Sequence, residues 1–168
     1  MPKIIENLES RLLEEARRQI EESGYGALTI RSVARSCGVG VGTVYNYFPS
    51  KDALVAAYML QDWKDCVCAV ERFSRDSDSA EPVVHCIYEQ LQQFALRHRK
   101  LFQDAAAAVG FSGSFGQYHS LLRQQLAAPL EKFCRETFAA EFIAEALLTW
   151  TMAGKPFDEI YGMIGKLL

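Results

Sequence analysis

The sequence predicts an all-α fold, and three observations carry that reading. Apolar residues recur at helical spacing along most of the chain, strand-type alternation is absent, and glycine, proline and short polar clusters interrupt the apolar stretches where helices should start or stop. With 168 residues, 49% of them hydrophobic, the chain can build a real core as one compact unit or two small ones.

A first helix is predicted from near Pro2 to Ser23, with Ile5, Leu8, Leu12, Ala16 and Ile20 as its buried stripe and Gly24 as its stop. The second follows Thr29, whose hydroxyl suits a backbone N–H of the first turn, and turns Ile30, Val33, Ala34 and Cys37 inward. Gly38 closes it, because glycine adopts the left-handed conformation without strain, and Val39 plugs the turn. A third helix of about two turns places Val41, Val44 and Phe48 on one face and Thr43, Asn46 and Tyr47 elsewhere. Pro49 ends it, lacking an N–H and restricting Phe48. So short a helix is marginal alone and must be held by Ile30, Val33, Val39 and the next helix, which leaves its outer face free for a ligand.

Ser50 caps a fourth helix that continues through Leu54, Tyr58, Trp63, Val67 and Val70 to about Phe73, long enough to join two domains. The polar stretch from Ser74 to Glu81 reads as a linker, with Ser79 as cap and Pro82 in the first turn of a helix reaching about His98. A shorter helix is predicted from Lys100 to Ala108, and Gly110, Gly113 and Gly116 then predict a flexible loop. Three further helices are expected over Gln117 to Phe138, Ala140 to Ala153 and Pro156 to Leu167. Two of them carry apolar stripes: Leu121, Leu122, Leu126, Leu130, Phe133 and Cys134, and then Phe142, Ile143, Ala146, Leu147, Trp150 and Thr151. Such stripes serve either as monomer core or as a two-fold interface.

Several classes of function find no support. Five cysteines, odd in number and without a C-x-x-C pair, argue against a disulfide scaffold and a structural zinc site, so no metal and no cofactor is expected. His85 and Glu89 lie four apart, which gives an ion pair more readily than a metal site. No apolar run approaches a membrane span and the N-terminus bears acidic residues, so a soluble cytoplasmic protein with no membrane partner is expected. An enzyme is not expected: Tyr45 occupies the third glycine position of a dinucleotide loop starting at Gly40, and Ser114 replaces the last glycine of a nucleophile pattern around Ser112. Net charge is −3, yet residues 16–51 hold five basic side chains against two acidic ones, which suits an acidic body with a basic reading head.

Two short helices across a tight turn fit a helix-turn-helix, although a mere helical hairpin shares the pattern. Gly24-Tyr25, Thr29, Ile30, Val33-Ala34, Gly38-Val39, Gly42-Thr43-Val44-Tyr45, Tyr47-Phe48 and Ser50-Lys51 resemble, in order and spacing, the N-terminal domain of TetR/AcrR-type transcriptional regulators. From about residue 75 the likeness is one of helical character and length alone. The resemblance implies a three-helix helix-turn-helix DNA-binding domain over residues 1–52, and a helical effector-binding and dimerisation domain over 53–168. It implies a homodimer that binds a double-stranded, near-palindromic operator as a repressor and leaves it when a small molecule binds.

By the same resemblance, Thr29 and Arg31 reach phosphate or a base edge, Thr43 meets bases, Tyr45 enters the groove, and Tyr47 and Lys51 bond phosphates. Val41 and Thr43 offer methyl contacts to thymine, Arg31 and Asn46 have two-pronged donor capacity, and Gly42 lets the backbone approach DNA. Gly40 departs from the family pattern, which more often has Ser or Thr there. Ligand candidates are the aromatic residues Trp63, Tyr88, Phe94, Phe102, Phe111, Phe115, Tyr118 and Trp150, and sparse buried charge points to an apolar or aromatic effector. The rival reading is a helical small-molecule-binding protein that does not read DNA sequence.

Overall fold

The computed structural model describes residues 7–168, and their side chains apart from 106 and 108–117. Pro2 and Ile5, assigned above to the first helix, lie outside the described residues. The helices are α1 (Leu8–Ser23), α2 (Ile30–Cys37), α3 (Val41–Tyr47), α4 (Lys51–Arg75), α5 (Ala80–Arg97), α6 (Arg99–Phe102), α7 (Ala105–Ala127), α8 (Thr137–Met152) and α9 (Phe157–Ile164). Among the described residues there is no strand, as the all-α reading requires. No described helix is long and apolar enough to cross a membrane.

The chain divides into two compact units, one of residues 1–61 with 98–113 and one of 62–97 with 114–168. Both α4 and α7 contribute to each. This division follows packing, whereas the boundary at residue 52 follows the motif.

In the first unit α1 lays Leu12 and Ala16 against Val33 of α2, Val44 of α3 and Leu54 and Val55 of α4. These side chains are excluded from water almost completely, which is what holds a seven-residue helix that could not persist alone. In the second unit α5 packs on α8 through Val83, Val84, Ile87 and Leu91 against Ile143 and Leu147, and Leu126 and Leu130 complete the core. Trp63 is buried there and donates its indole N–H to Gln125 Oε1 at 2.7 Å. The buried carboxylate of Asp62 pairs with Arg97 at 3.5 Å.

Four sequence expectations are corrected. Ser74 is not linker: α4 runs to Arg75, and buried Ser74 donates its hydroxyl to Pro129 O at 2.9 Å. The helix expected over Lys100 to Ala108 is divided, with α6 ending at Phe102 and Asp104 Oδ1 accepting the Ala107 N–H at 3.2 Å to start a new helix. That helix, α7, continues through Gly110, Gly113 and Gly116 where a loop was expected. Each glycine costs about 1 kcal/mol against alanine, and the good helix formers on both sides, Ala105–Ala108 and Gln117–Ala127, offset it. The helix expected over Gln117 to Phe138 ends at Ala127, because Pro129 interrupts it with the 3₁₀ turn Ala128–Phe133.

The apolar stripe read on α8 also divides. Ile143, Leu147 and Thr151 are buried, while Phe142 and Trp150 are 51% and 49% exposed; Phe138, which precedes the stripe, is 71% exposed. On α7, Leu126 is buried and Tyr118 and Leu121 are exposed.

Candidate nucleic-acid interface

The first unit exposes side chains at the start of α2 and along α3, with the start of α4 half-buried after them. Thr29 sits in extended backbone before α2, and its Oγ1 accepts the Ser32 N–H at 2.9 Å while Ser32 Oγ accepts the Thr29 N–H at 3.2 Å. This reciprocal cap fixes the start of α2 and leaves the Thr29 hydroxyl proton to donate outward. Gly38 closes α2 in the left-handed region at φ 68°, and Val39 returns an N–H to Ala34 O at 3.0 Å.

Helix α3 follows Gly40 and ends ahead of Phe48, which is buried and extended before Pro49. Val44 is fully buried and Val41 half-buried against the core, so helical periodicity carries Gly42, Tyr45 and Asn46 to the opposite face. Tyr45 and Tyr47 are 51% and 44% exposed, so their rings and hydroxyls are open to a partner. Arg31 and Arg35, four apart on α2, are exposed beside this helix, and Thr43 is half-buried. A Cβ placed on Gly42 would meet no heavy atom within 4 Å. The sequence therefore places Thr29, Arg31, Gly42, Tyr45, Asn46 and Tyr47 at the surface, with Val41, Thr43 and Lys51 half-buried at its edge.

Lys51 has a second engagement. Its ammonium donates to Tyr25 O at 3.1 Å and lies 3.9 Å from the centre of the Tyr25 ring. The Tyr25 hydroxyl in turn donates to Asp52 Oδ1, and burial together with Asp52 pushes that phenol upward. Ser50 Oγ accepts the Ala53 N–H at 3.0 Å and caps α4. The start of α4 is thus pinned to the turn between α1 and α2, and an anion there meets a held lysine beside a helix N-terminus.

Sequence reasoning missed the residues that brace α2 from α1. Arg11 Nη2 donates to Cys37 O at 3.0 Å, closing the end of α2, and Gln19 Oε1 accepts from Ser32 Oγ at 2.6 Å. These partners lie 26 and 13 residues apart, so periodicity cannot reveal them. The Thr29-x-x-Ser32 spacing was a visible signal for the cap.

The proposed ligand side chains do not form one cluster. Trp63 is buried and Phe94 half-buried, with ring centres 5.6 Å apart, and Tyr88 donates its hydroxyl to Lys155 O at 3.2 Å, all in the second unit. Phe102 belongs to the first unit beside His98, Tyr118 and Trp150 are exposed, and the side chains of Phe111 and Phe115 lie outside the described residues. His85 Nδ1 is 3.6 Å from Glu89 Oε2, an ion-pair distance. No group of three or more His, Cys, Asp or Glu side chains is placed to hold a metal among the described residues.

Residues 12–58 match the family described as bacterial regulatory proteins, tetR family. The HTH-type transcriptional regulator UidR of Escherichia coli K12 is 38% identical over 53 residues, covering 32% of this chain and 27% of UidR. An HTH-type regulator of Mycobacterium tuberculosis is 32% identical over 76 residues, covering 45% of this chain and 32% of its own length. The match therefore spans about a quarter to a third of these curated relatives. Among solved structures, the TetR family repressor AlkX from Dietzia aligns with a TM-score of 0.67 at 18% identity over 94% of this chain and 98% of its own. FadR from Thermus thermophilus, solved in complex with lauroyl-CoA, aligns with a TM-score of 0.63 at 19% identity over 95% and 92%. At that identity the structures share the fold.

Proposed function

We propose that this chain is a transcriptional regulator of the TetR family, that it binds a near-palindromic operator as a homodimer, and that it represses transcription until a small molecule releases it. The carrying observation is the face of α3, where buried Val44 turns Gly42, Tyr45 and Asn46 outward in a helix short enough to enter a major groove. Arg31, Asn46 and the methyl groups of Val41 and Thr43 supply base contacts, while Thr29, Tyr47 and Lys51 supply phosphate contacts. Two copies would set their α3 helices roughly 34–36 Å apart, one turn of duplex.

The dimer reading is supported by the water-facing side chains of the second unit: Tyr118 and Leu121 on α7, and Phe138 and Phe142 on α8. Phe138 and Phe142 are four apart, hence on one side of the helix, and apolar rings in that arrangement suit burial against a symmetry mate. In functional terms residues 1–52 read DNA and 53–168 dimerise and take the effector. The effector is apolar or aromatic, met by residues such as Trp63, Tyr88 and Phe94, and FadR's acyl-CoA is a precedent within the fold. The protein acts in the cytoplasm as a binding protein and no catalytic step is assigned to it.

The test is duplex binding by the full chain across a salt series, beside the variant Tyr45→Ala/Tyr47→Ala. Binding should weaken with a log–log slope of about −0.9 per phosphate contacted, and the variant should lose it while sedimenting as a dimer. A monomer in solution, or a variant that binds like the parent, contradicts the reading.

A further inference from the structure

A groove of about 370 Å³ opens on the second unit between the end of α4, the start of α5 and α9, lined by Phe73, Glu81, Pro82, His85, Cys86, Glu89 and Phe157. The effector candidates named above do not line it, and it lies outside the DNA-reading unit. Its volume is at the lower end of the range that holds small ligands, about 300–1,000 Å³.

Two properties of the wall select the occupant. The first is aromatic: Phe157 stacks on Tyr161 with centres 5.3 Å apart, and the rings of His85 and Tyr88 meet it at 4.6 and 5.4 Å. Phe73 adds a ring that is 44% exposed although its helix neighbours Val70 and Ser74 are buried. The second is charge. The lining holds two carboxylates, Glu81 and Glu89, and no lysine or arginine. Glu89 faces His85 at 3.6 Å, and burial together with the nearby Glu81 carboxylate pushes the Tyr161 phenol upward, which sets both carboxylates near the rings. Pro82 at the start of α5 adds a rigid apolar rim. Negative ring faces beside carboxylates attract a desolvated cation, and the apolar wall favours one that carries hydrocarbon and not a bare metal ion.

We propose that this groove binds a small organic cation of the ammonium class, its charge against the rings of Phe73 and Phe157 and beside the carboxylates of Glu81 and Glu89. An anionic or neutral ligand would forfeit the carboxylates. An inorganic cation would forfeit the rings and find too few oxygen ligands.

The probe is benzyltrimethylammonium, titrated into the full chain by calorimetry, with benzyl alcohol as its neutral counterpart. Saturable binding of one ion per chain is expected, weakened about fivefold or more in Glu81→Gln/Glu89→Gln. Both glutamates are exposed, so this variant keeps its fold. Phe157→Leu should weaken binding as well, with the helical circular dichroism checked first. Glu131→Gln, an exposed carboxylate outside the lining, should leave the affinity unchanged. Absence of saturable binding, equal affinity for benzyl alcohol, full affinity in the double variant, or an equal loss in Glu131→Gln would each overturn the proposal. The readout is the cation alone, so either result leaves the DNA-binding reading untouched.

Discussion

Replacing Gly42 with alanine separates what α3 does for the fold from what it does for DNA. The residue lies inside a seven-residue helix, and a Cβ there would meet no heavy atom within 4 Å. In the free protein the substitution therefore costs no packing and restores helix propensity, a gain of about 0.5–1 kcal/mol. If the chain unfolds as one cooperative unit, that gain raises Tm by about 1–4 °C. Against the duplex the sign reverses. Gly42 is on the outward face, and under the proposed function its lack of a side chain would let the α3 backbone approach the groove, where one methyl forced into a packed interface costs about 1–3 kcal/mol. That cost corresponds to a loss of roughly 5- to 150-fold in affinity. Thermal melting by circular dichroism and duplex titration by fluorescence anisotropy read the two effects separately. A variant that gains stability and keeps its affinity would show that Gly42 does not approach DNA. A variant that loses stability would show that Gly42 is packed against a neighbour and not open as its surroundings indicate.

Three further outcomes follow from particular contacts. Gln125→Leu leaves the buried Trp63 indole N–H without its acceptor and should destabilise the chain by about 1–3 kcal/mol in urea unfolding, with DNA affinity per folded molecule unchanged. The Glu15 carboxyl is held at about 2, below its ordinary 4.5, chiefly by the Arg18 hydrogen bonds. Because its folded value is depressed, its contribution to stability is present above 4.5 and is lost as pH falls towards about 2. Glu15→Gln should flatten the stability curve in that window, by less than the full shift because Arg18 is 49% exposed and water screens the pair. Finally, Cys68 is exposed while Cys66 is buried with its thiol pushed up to about 12, so iodoacetamide should modify Cys68 first and Cys66 about a hundredfold more slowly, read by peptide mass mapping.

Local chemistry made the three-helix arrangement of α1 to α3 legible in the sequence. Thr29, Gly38 and Pro49 each act within a turn of their own position, and the spacing of Val33, Ala34 and Val44 fixes which faces are buried. Tertiary pairing was not legible. The Lys51 ammonium lies over a ring 26 positions away, Arg11 reaches across to Cys37, and neither leaves a periodic trace. Two further differences have opposite origins. Gly110, Gly113 and Gly116 look like breakers, yet the flanking helix formers outweigh them, whereas Pro129 ends a helix inside an apolar pattern that runs on past it. The α8 stripe mixed two faces because apolar residues at both core and surface positions blur a period of 3.6. The aromatic groove was half visible, since His85 and Glu89 share a helix, while Phe73 and Phe157 come from elements distant in sequence.

The central claim is that α3 reads DNA sequence. Its most direct test is selection of bound duplexes from a random pool by the full chain, with Tyr45→Ala/Tyr47→Ala as control. The account predicts enrichment of a near-palindromic consensus whose half-sites lie about one helical turn apart, and its loss in the control. Equal enrichment by both proteins, or none by the parent chain at moderate salt, would contradict it.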